Sequence, residues 1–269
     1  METRELHENW KMRCTEALDW QEAVVPGTVY TDLLRNGNME NPYWKDNEDS
    51  ICALMEKDYE YICTFEGGNI EGFSSIFLRF EGLDTVADVY LNGELLGQSL
   101  NMHRVWEYEV QSLLKKGENT LRVVFHSPLN YIAEAYKKYG NIGNEDTYEG
   151  FMHLRKAHYM FGWDWGAHLP DAGIFRPVKL CKVKCGRFDS VYIRQNHEEG
   201  RCTLNFDAAY LVEEAGNYEV YVTVTSPKGE TFKTVLSEEG CGSLTIENPE
   251  LWWVNGLGEQ PLYEVEAVL

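Results

Sequence analysis

Alternation with a period of two sets the texture of the chain. Residues 76–80, 86–91, 121–126 and 178–183 alternate apolar and polar side chains, or run apolar, with β-branched and aromatic members. That pattern predicts strands with one or both faces buried. Asn92-Gly93 lies between residues 88–91 and 94–97, and two positions that accept positive φ between apolar runs predict a tight hairpin. Residues 115–119 predict a second turn ahead of the strand at Leu121. Two short helices interrupt the strands. The first follows Pro26-Gly27-Thr28, runs through Leu33-Leu34 and stops at Gly37. The second has Ser127 as N-cap, Pro128 at its first position and Gly140 just past its end. Short helices among many strands predict a jelly-roll-like sandwich whose edges such insertions cover.

Beyond Lys184 the rhythm becomes more even. Residues 191–194, 202–211, 218–225, 232–236, 242–246 and 262–269 predict a regular series of short strands, with Lys228-Gly229 as a turn. Roughly 85 residues of this kind suit an immunoglobulin-like sandwich of about 100 residues. The expected division is a first domain over 1–185 and a second over 186–269, with its boundary at Cys185-Gly186-Arg187.

A chain of 269 residues suffices for two such cores. Its 24 Lys and Arg against 44 Asp and Glu give a net charge of −20, which repels phosphate backbones and anionic lipid. Nucleic acid and membrane are therefore excluded as partners. No apolar run approaches the roughly 20 residues of a membrane span. The segment from Met1 to Trp10 is polar, with Glu2, Glu5 and Glu8 and no apolar signal core, so a cytoplasmic location, or a targeting segment already lost, is expected. Seven cysteines at 14, 52, 63, 181, 185, 202 and 241 fit a reducing compartment better than a disulfide framework. Cys181 and Cys185, four residues apart on a strand, would be roughly 13 Å apart, too far to share a metal. Aromatic residues make up 13% of the chain, and β-rich cores collect most of such residues.

Candidate chemistry concentrates between His153 and Gly166. There Arg155-Lys156 precedes Phe161-Gly162-Trp163-Asp164-Trp165-Gly166. A strand would place Trp163 and Trp165 on one face and Asp164 on the other. A carboxylate beside indole faces can accept hydrogen bonds from sugar hydroxyls while the aromatic rings pack on C–H faces. The same residues also read as two core tryptophans with Asp164 paired to Arg155 or Lys156, and the two readings stand even at this point. His153, His158 and His168 read as hydrogen-bonded histidines rather than metal ligands, because a spacing of five separates the first two on helix and strand alike. No cofactor is expected: a phosphate-cradling glycine loop and a Gly-x-Ser-x-Gly elbow are both missing from the sequence. Asn47-Glu48 and Asn144-Glu145 read as solvated loop residues, and no pair of acids has a recognisable glycosidase setting.

Four stretches carry a resemblance. Residues 25–34 and 41–48 look like the opening of β-mannosidases of glycoside hydrolase family two. Residues 80–93 are similar to the sugar-binding domain shared across that family, galactosidases and glucuronidases included. Arg155-Lys156 through Gly166 is the most mannosidase-specific segment. Leu251-Trp252-Trp253 with residues 255–263 resembles the end of the family's immunoglobulin-like domain. Ala167 and Val254 stand where the family usually has proline, which loosens two turns without removing a functional group.

The resemblance implies an all-β chain: a jelly-roll-like, galactose-binding-type β-sandwich followed by an immunoglobulin-like β-sandwich. It also implies a (β/α)₈ barrel that carries both catalytic glutamates and needs roughly 250 residues of its own. No catalytic residue is therefore assigned here, and this chain alone should be inactive. The Trp-Asp-Trp loop would reach the mouth of the barrel and help bind a terminal β-mannoside. In that reading Asp164 recognises hydroxyls, Trp163 and Trp165 form walls, and Arg155 and Lys156 hold the loop in place. The missing barrel of the same protein would be the chief partner, and a homo-oligomer contact stays open. So do two other readings, a β-galactosidase or β-glucuronidase front end and a stand-alone carbohydrate-binding module using Trp163, Trp165 or Trp106.

Overall fold

The computed structural model of the protein describes residues 1–141, 143, 147–163, 166–212 and 215–269. The chain forms two compact units, Glu2–Lys182 and Val183–Leu269. The first opens with strands β1 (Glu2–Glu5), β2 (Lys11–Cys14) and β3 (Gln21–Glu22), then helices α1 (Val29–Arg35) and α2 (Asn47–Cys52). Strands β4 (Tyr59–Glu66), β5 (Ser75–Phe80), β6 (Val86–Leu91), β7 (Glu94–Leu100), β8 (Trp106–Glu109) and β9 (Glu118–Phe125) come next. Helix α3 (Pro128–Tyr139), the short strands β10 (Phe161–Trp163) and β11 (Gly166–His168), and β12 (Val178–Val183) complete it.

Two sheets build this unit. One is six-stranded and antiparallel in the order β3-β2-β4-β9-β6-β7, and the other is four-stranded in the order β1-β12-β5-β8. Alternate residues point inward, as Ala87, Val89 and Leu91 do on β6 and Leu121, Val123 and Phe125 on β9. They share one core with Ile76, Leu78 and Phe80 of β5 and Val178 and Leu180 of β12. The result is a jelly-roll-like, galactose-binding-type sandwich.

Local signals explain the elements they predicted. Asn92 and Gly93 both take positive φ between β6 and β7, and the Asn92 side chain donates to the Leu113 carbonyl and accepts from Thr120 N. Thr28 and Thr31 form a reciprocal capping box at the start of α1. The Ser127 hydroxyl accepts from Asn130 N at 3.0 Å, and Gly140 closes α3 with φ +72°. Other elements had no such signal. The polar N-terminus is edge strand β1, whose four exposed residues pair with β12 so that Glu2 faces Lys182 and Glu5 faces Lys179. Strand β4 hides behind its charges: Glu60 is buried, bridged by Arg13 at 2.6 Å and Arg122 at 2.5 Å.

The second unit contains β13 (Gly186–Glu198), β14 (Arg201–Val212), β15 (Tyr221–Thr225), β16 (Thr231–Val235), β17 (Cys241–Glu247) and β18 (Glu264–Val268). They form two antiparallel three-stranded sheets, β13-β14-β17 and β16-β15-β18. Cys202, Leu204, Phe206 and Ala208 alternate inward from β14 to meet Val222 and Val224 of β15 and Ile246 of β17. This is the immunoglobulin-like sandwich. β13 extends well beyond the residues 191–194 expected, because its polar second half pairs with β14 by main-chain bonds that need no apolar side chains.

One fastening in the first unit is charged. His126, just past β9, gives Nδ1 to Asp58 and Nε2 to Asp88, each at 3.0 Å. Asp58 also accepts from Ser127 N, and Asp88 accepts from Gln98 Nε2. Only an imidazolium donates from both nitrogens at once. Burial pulls the His126 pKa down, but the two carboxylates outweigh it and hold the pKa above its ordinary value. A histidine whose folded pKa is raised adds stability below its unfolded value of about 6.5 and loses it as pH climbs through the folded one. The melting-temperature gap between wild type and His126→Gln should therefore narrow as pH rises from 6 to 9. A gap that does not change with pH would mean that the clamp does not titrate there.

Candidate functional site

The segment around Trp163 is fastened at its base from several sides. Arg155 bridges to Asn101 through the main chain, with Met102 N donating to its carbonyl at 3.0 Å. A 3-10 turn over His158–Met160 then leads into β10. Phe161 is fully buried, its ring centroid 5.9 Å from Phe151 and 6.4 Å from Tyr148. β10 and β11 pair antiparallel with Phe161 opposite His168 and Trp163 opposite Gly166. The strand considered from the sequence through Trp163 and Trp165 falls partly outside the described residues. Trp163 is half-buried at the end of β10, while Asp164 and Trp165 lie outside the described residues.

Why the sequence folds this way is visible at Gly162 and His168. Gly162 has φ +82°, and a Cβ there would lie 2.7 Å from the His168 ring, so only glycine fits beneath that imidazole. His168 in turn donates its main-chain N–H to Glu48 Oε1 at 2.7 Å, and its Nδ1 meets the same oxygen at 2.7 Å. The main-chain donor and the imidazole outweigh burial and keep the Glu48 carboxyl below its ordinary pKa. Leu169 N closes the base on the Met160 carbonyl at 2.9 Å. Glu48 is thus not a solvated loop residue; it sits in α2 and grips the hairpin. Asn144 and Glu145 lie outside the described residues.

Arg155 and Lys156 are adjacent in sequence but differ in environment. Arg155 is exposed, whereas Lys156 is almost completely buried and carries its ammonium inward to the Asp84 carboxylate and, at 2.5 Å, to the Asp171 carbonyl. A buried ammonium needs this pairing. The partners of the Lys156 ammonium are therefore Asp84 and the Asp171 carbonyl. Asp171 Oδ1 accepts from Tyr30 N at 3.0 Å and Ala172 N at 2.8 Å, tying the same node to the start of α1. Burial pushes the Asp171 pKa up to about 6, against hydrogen bonds from Thr28, Tyr30 and Ala172 that lower it.

The carboxylates beneath the hairpin are all held by donors: Glu48 by His168, Asp84 by Lys156 and Asp171 by main-chain amides. They give the arrangement rigidity rather than acid–base chemistry. Asp84 and Asp171 were not singled out from the sequence, although each is an acid within a largely apolar stretch, the one signal that could have found them. His153 meets the Gly140 carbonyl at 2.8 Å and His158 stands edge-on to Phe151 at 4.9 Å. Among the described residues no group of three or more His, Cys, Asp or Glu is arranged to hold a metal ion.

Removing one partner of a buried pair strands the other charge. Lys156→Ala should therefore cost about 3–5 kcal/mol in urea unfolding, and a loss below about 1 kcal/mol would contradict the buried pairing. Asp171 has the opposite pH sense to a salt-bridged acid. With its folded pKa raised, the folded state binds the extra proton between about pH 4 and 6, so stability is gained as pH falls through that window and lost as pH rises through about 6. Wild type should gain melting temperature relative to Asp171→Asn as pH drops from 7 to 4. A constant difference would show that Asp171 does not titrate in this range.

Known proteins share this architecture. The family described as glycosyl hydrolase 2 galactose-binding domain-like matches residues 10–176, and glycosyl hydrolases family 2 matches residues 186–269. β-Mannosidase B of Emericella nidulans is 34% identical over 260 residues, covering 91% of this chain and 30% of its own length. A probable β-mannosidase of Caenorhabditis elegans is 28% identical, covering 96% of this chain and 31% of its own. The crystal structure of the β-D-mannosidase from Dictyoglomus thermophilum superposes with a TM-score of 0.89 at 33% identity, covering all of this chain and 34% of that one. The chain thus spans about a third of the length of these relatives. With more than half of its residues matched by the first family and residues 186–269 by the second, the chain belongs to glycosyl hydrolase family 2 and resembles the β-mannosidases within it.

Proposed function

We propose that this chain is the non-catalytic, sugar-contacting front part of a β-mannosidase-like glycoside hydrolase, acting on terminal β-D-mannose residues in the complete protein. The observation that carries the reading is 33–34% identity to two β-mannosidases over nine tenths or more of the chain. The chemistry agrees: the carboxylates under the hairpin are held by donors, so the two acids of a retaining mechanism would come from a (β/α)₈ part of the protein. The first domain extends to Cys185 in this reading and the second begins at Gly186. Asp164 recognises the hydroxyls of the terminal sugar, Trp163 and Trp165 flank it, and Arg155 and Lys156 fix the loop.

A cytoplasmic location is part of the proposal. All seven cysteines are free thiols, and among the described residues no helix is long and apolar enough to cross a membrane.

The complete protein should hydrolyse aryl β-mannosides in preference to aryl β-galactosides and β-glucuronides, while residues 1–269 alone should turn over none of them. Preference for a galactoside or glucuronide would overturn the assignment, and so would robust turnover by residues 1–269. In the complete protein Asp164→Ala should lower kcat/KM for the mannoside on the order of 10²-fold, the loss of about 2–3 kcal/mol of hydroxyl contact. Unchanged kinetics would return Asp164 to a purely structural role.

A further inference from the structure

The second unit leaves one side of its sandwich open. Its two sheets end on edge strands, β13 in one and β18 in the other, and among the described residues each pairs on one side alone. Between them lies a groove of about 310 Å³, lined by Ile193 of β13, Leu204 of β14, Ile246 of β17, and Tyr263 and Val265 on the β18 side. This groove opens straight onto the core. Val265 and Ala267 stand opposite Val224 and Val222 of β15 and so face inward with them. Val224 is fully buried, yet Val265 beside it is 38% exposed, so the core stops short at this edge. Ile193 likewise faces inward, opposite the buried Phe206, and is only partly covered. An immunoglobulin-like sandwich has about seven strands, the last of which lies beside the sixth at this position. The second unit has six among the described residues.

We propose that this groove is the acceptor site for one amphipathic β-strand, donated by the stretch of the complete protein that follows Leu269. The assignment rests on the β-mannosidase reading and deepens it. Under that reading the chain, which covers 30–34% of two such relatives, continues from β18 into the rest of the protein. Three features select this occupant. Leu269 directly follows β18, and its side chain reaches the start of β13, where a Cβ on Gly186 would stand 3.1 Å from it. A short turn there returns the chain antiparallel along β18, and the returning strand runs down the groove beside β13. The free edge of β18 offers main-chain donors and acceptors that a strand satisfies and an apolar small molecule does not. Charge then narrows the donor. Glu264 and Glu266 point outward and are exposed, opposite Thr225 and Thr223. A second copy of this chain, paired antiparallel about Val265 or Glu266, would set these acids against the same acids, which is destabilising. The donor strand therefore carries apolar side chains at alternate positions, toward Val265 and Ile193, and neutral or basic ones between them. Its main-chain bonds to β18 make the second unit the clasp between the front part and the rest of the protein.

Amide hydrogen exchange reads the clasp. Residues 262–269 should exchange on the order of 10-fold or more slowly in the complete protein than in residues 1–269 alone. A synthetic peptide of about ten residues, copied from the sequence that follows Leu269, should restore that protection to residues 1–269 in trans. Replacing its apolar, groove-facing residues by Asp should weaken binding on the order of 10-fold or more, whereas Lys at the intervening positions should leave it within about 2-fold. These changes fall in the peptide, so the fold of residues 1–269 is the same in every comparison. Equal exchange in the complete protein and in residues 1–269 would overturn the strand acceptor, and so would a peptide indifferent to Asp. Protection of β18 that grows with the concentration of residues 1–269 alone would overturn it too, by giving the groove to a second copy. Turnover of an aryl β-mannoside by the same complete protein separates the two readings. Protection without turnover refutes the mannosidase reading and keeps the strand, while turnover without protection does the reverse.

Discussion

The ammonium of Lys156 is the point on which the first unit converges. Taking a lysine into an interior costs several kcal/mol in desolvation, so the fold tolerates it only where strong acceptors are preplaced. Here they come from two distant segments: Asp84 between β5 and β6, and Asp171 between β11 and β12. Asp84 and Gly173 exchange main-chain hydrogen bonds at 2.9 Å in both directions, so the two acceptors belong to one rigid piece. Asp171 then reaches α1 through Tyr30 N, and Val29 N donates to the Ala172 carbonyl at 2.8 Å. One buried charge thereby locks the start of a helix, a strand-connecting loop and the approach to the hairpin into a single geometry.

That node explains how so small a hairpin can hold a position. Two three-residue strands joined by two register pairs would be marginal alone. Their stability is borrowed from below, from Phe161 in the aromatic cluster, His168 on Glu48 and Leu169 on Met160. The sandwich thus supplies the stiffness on which this connection rests.

Legibility from sequence tracked the range of the interaction. Elements written in local code were readable: the Asn92-Gly93 turn, the Ser127 cap with Gly140 beyond α3, and the alternating strands β6 and β9. Strand β1 was invisible because an edge strand needs no apolar period, only a partner, and its partner lies about 175 residues away on β12. Glu48 read as a loop acid because its role is set by His168, 120 residues on. Lys156 and Arg155 read alike as cations leading the hairpin, and only the tertiary structure tells them apart. The Trp-Asp-Trp segment was conspicuous by composition, yet the pairing of Phe161–Trp163 with Gly166–His168 depends on Gly162 fitting under an imidazole, which no periodicity records.

The charge balance obeys the same accounting of partners. A net charge of −20 could make any concave surface of this chain hostile to ligands rich in electrons. Around the hairpin, however, the acids are neutralised one by one: Glu48 by His168, Asp84 by Lys156, and Asp171 by amides in surroundings that favour its protonated form near pH 6. Tyr43 and Tyr159 are exposed nearby, and Thr31 lines a cleft with them. A surface of that kind discriminates by shape and by hydrogen-bond geometry, not by field.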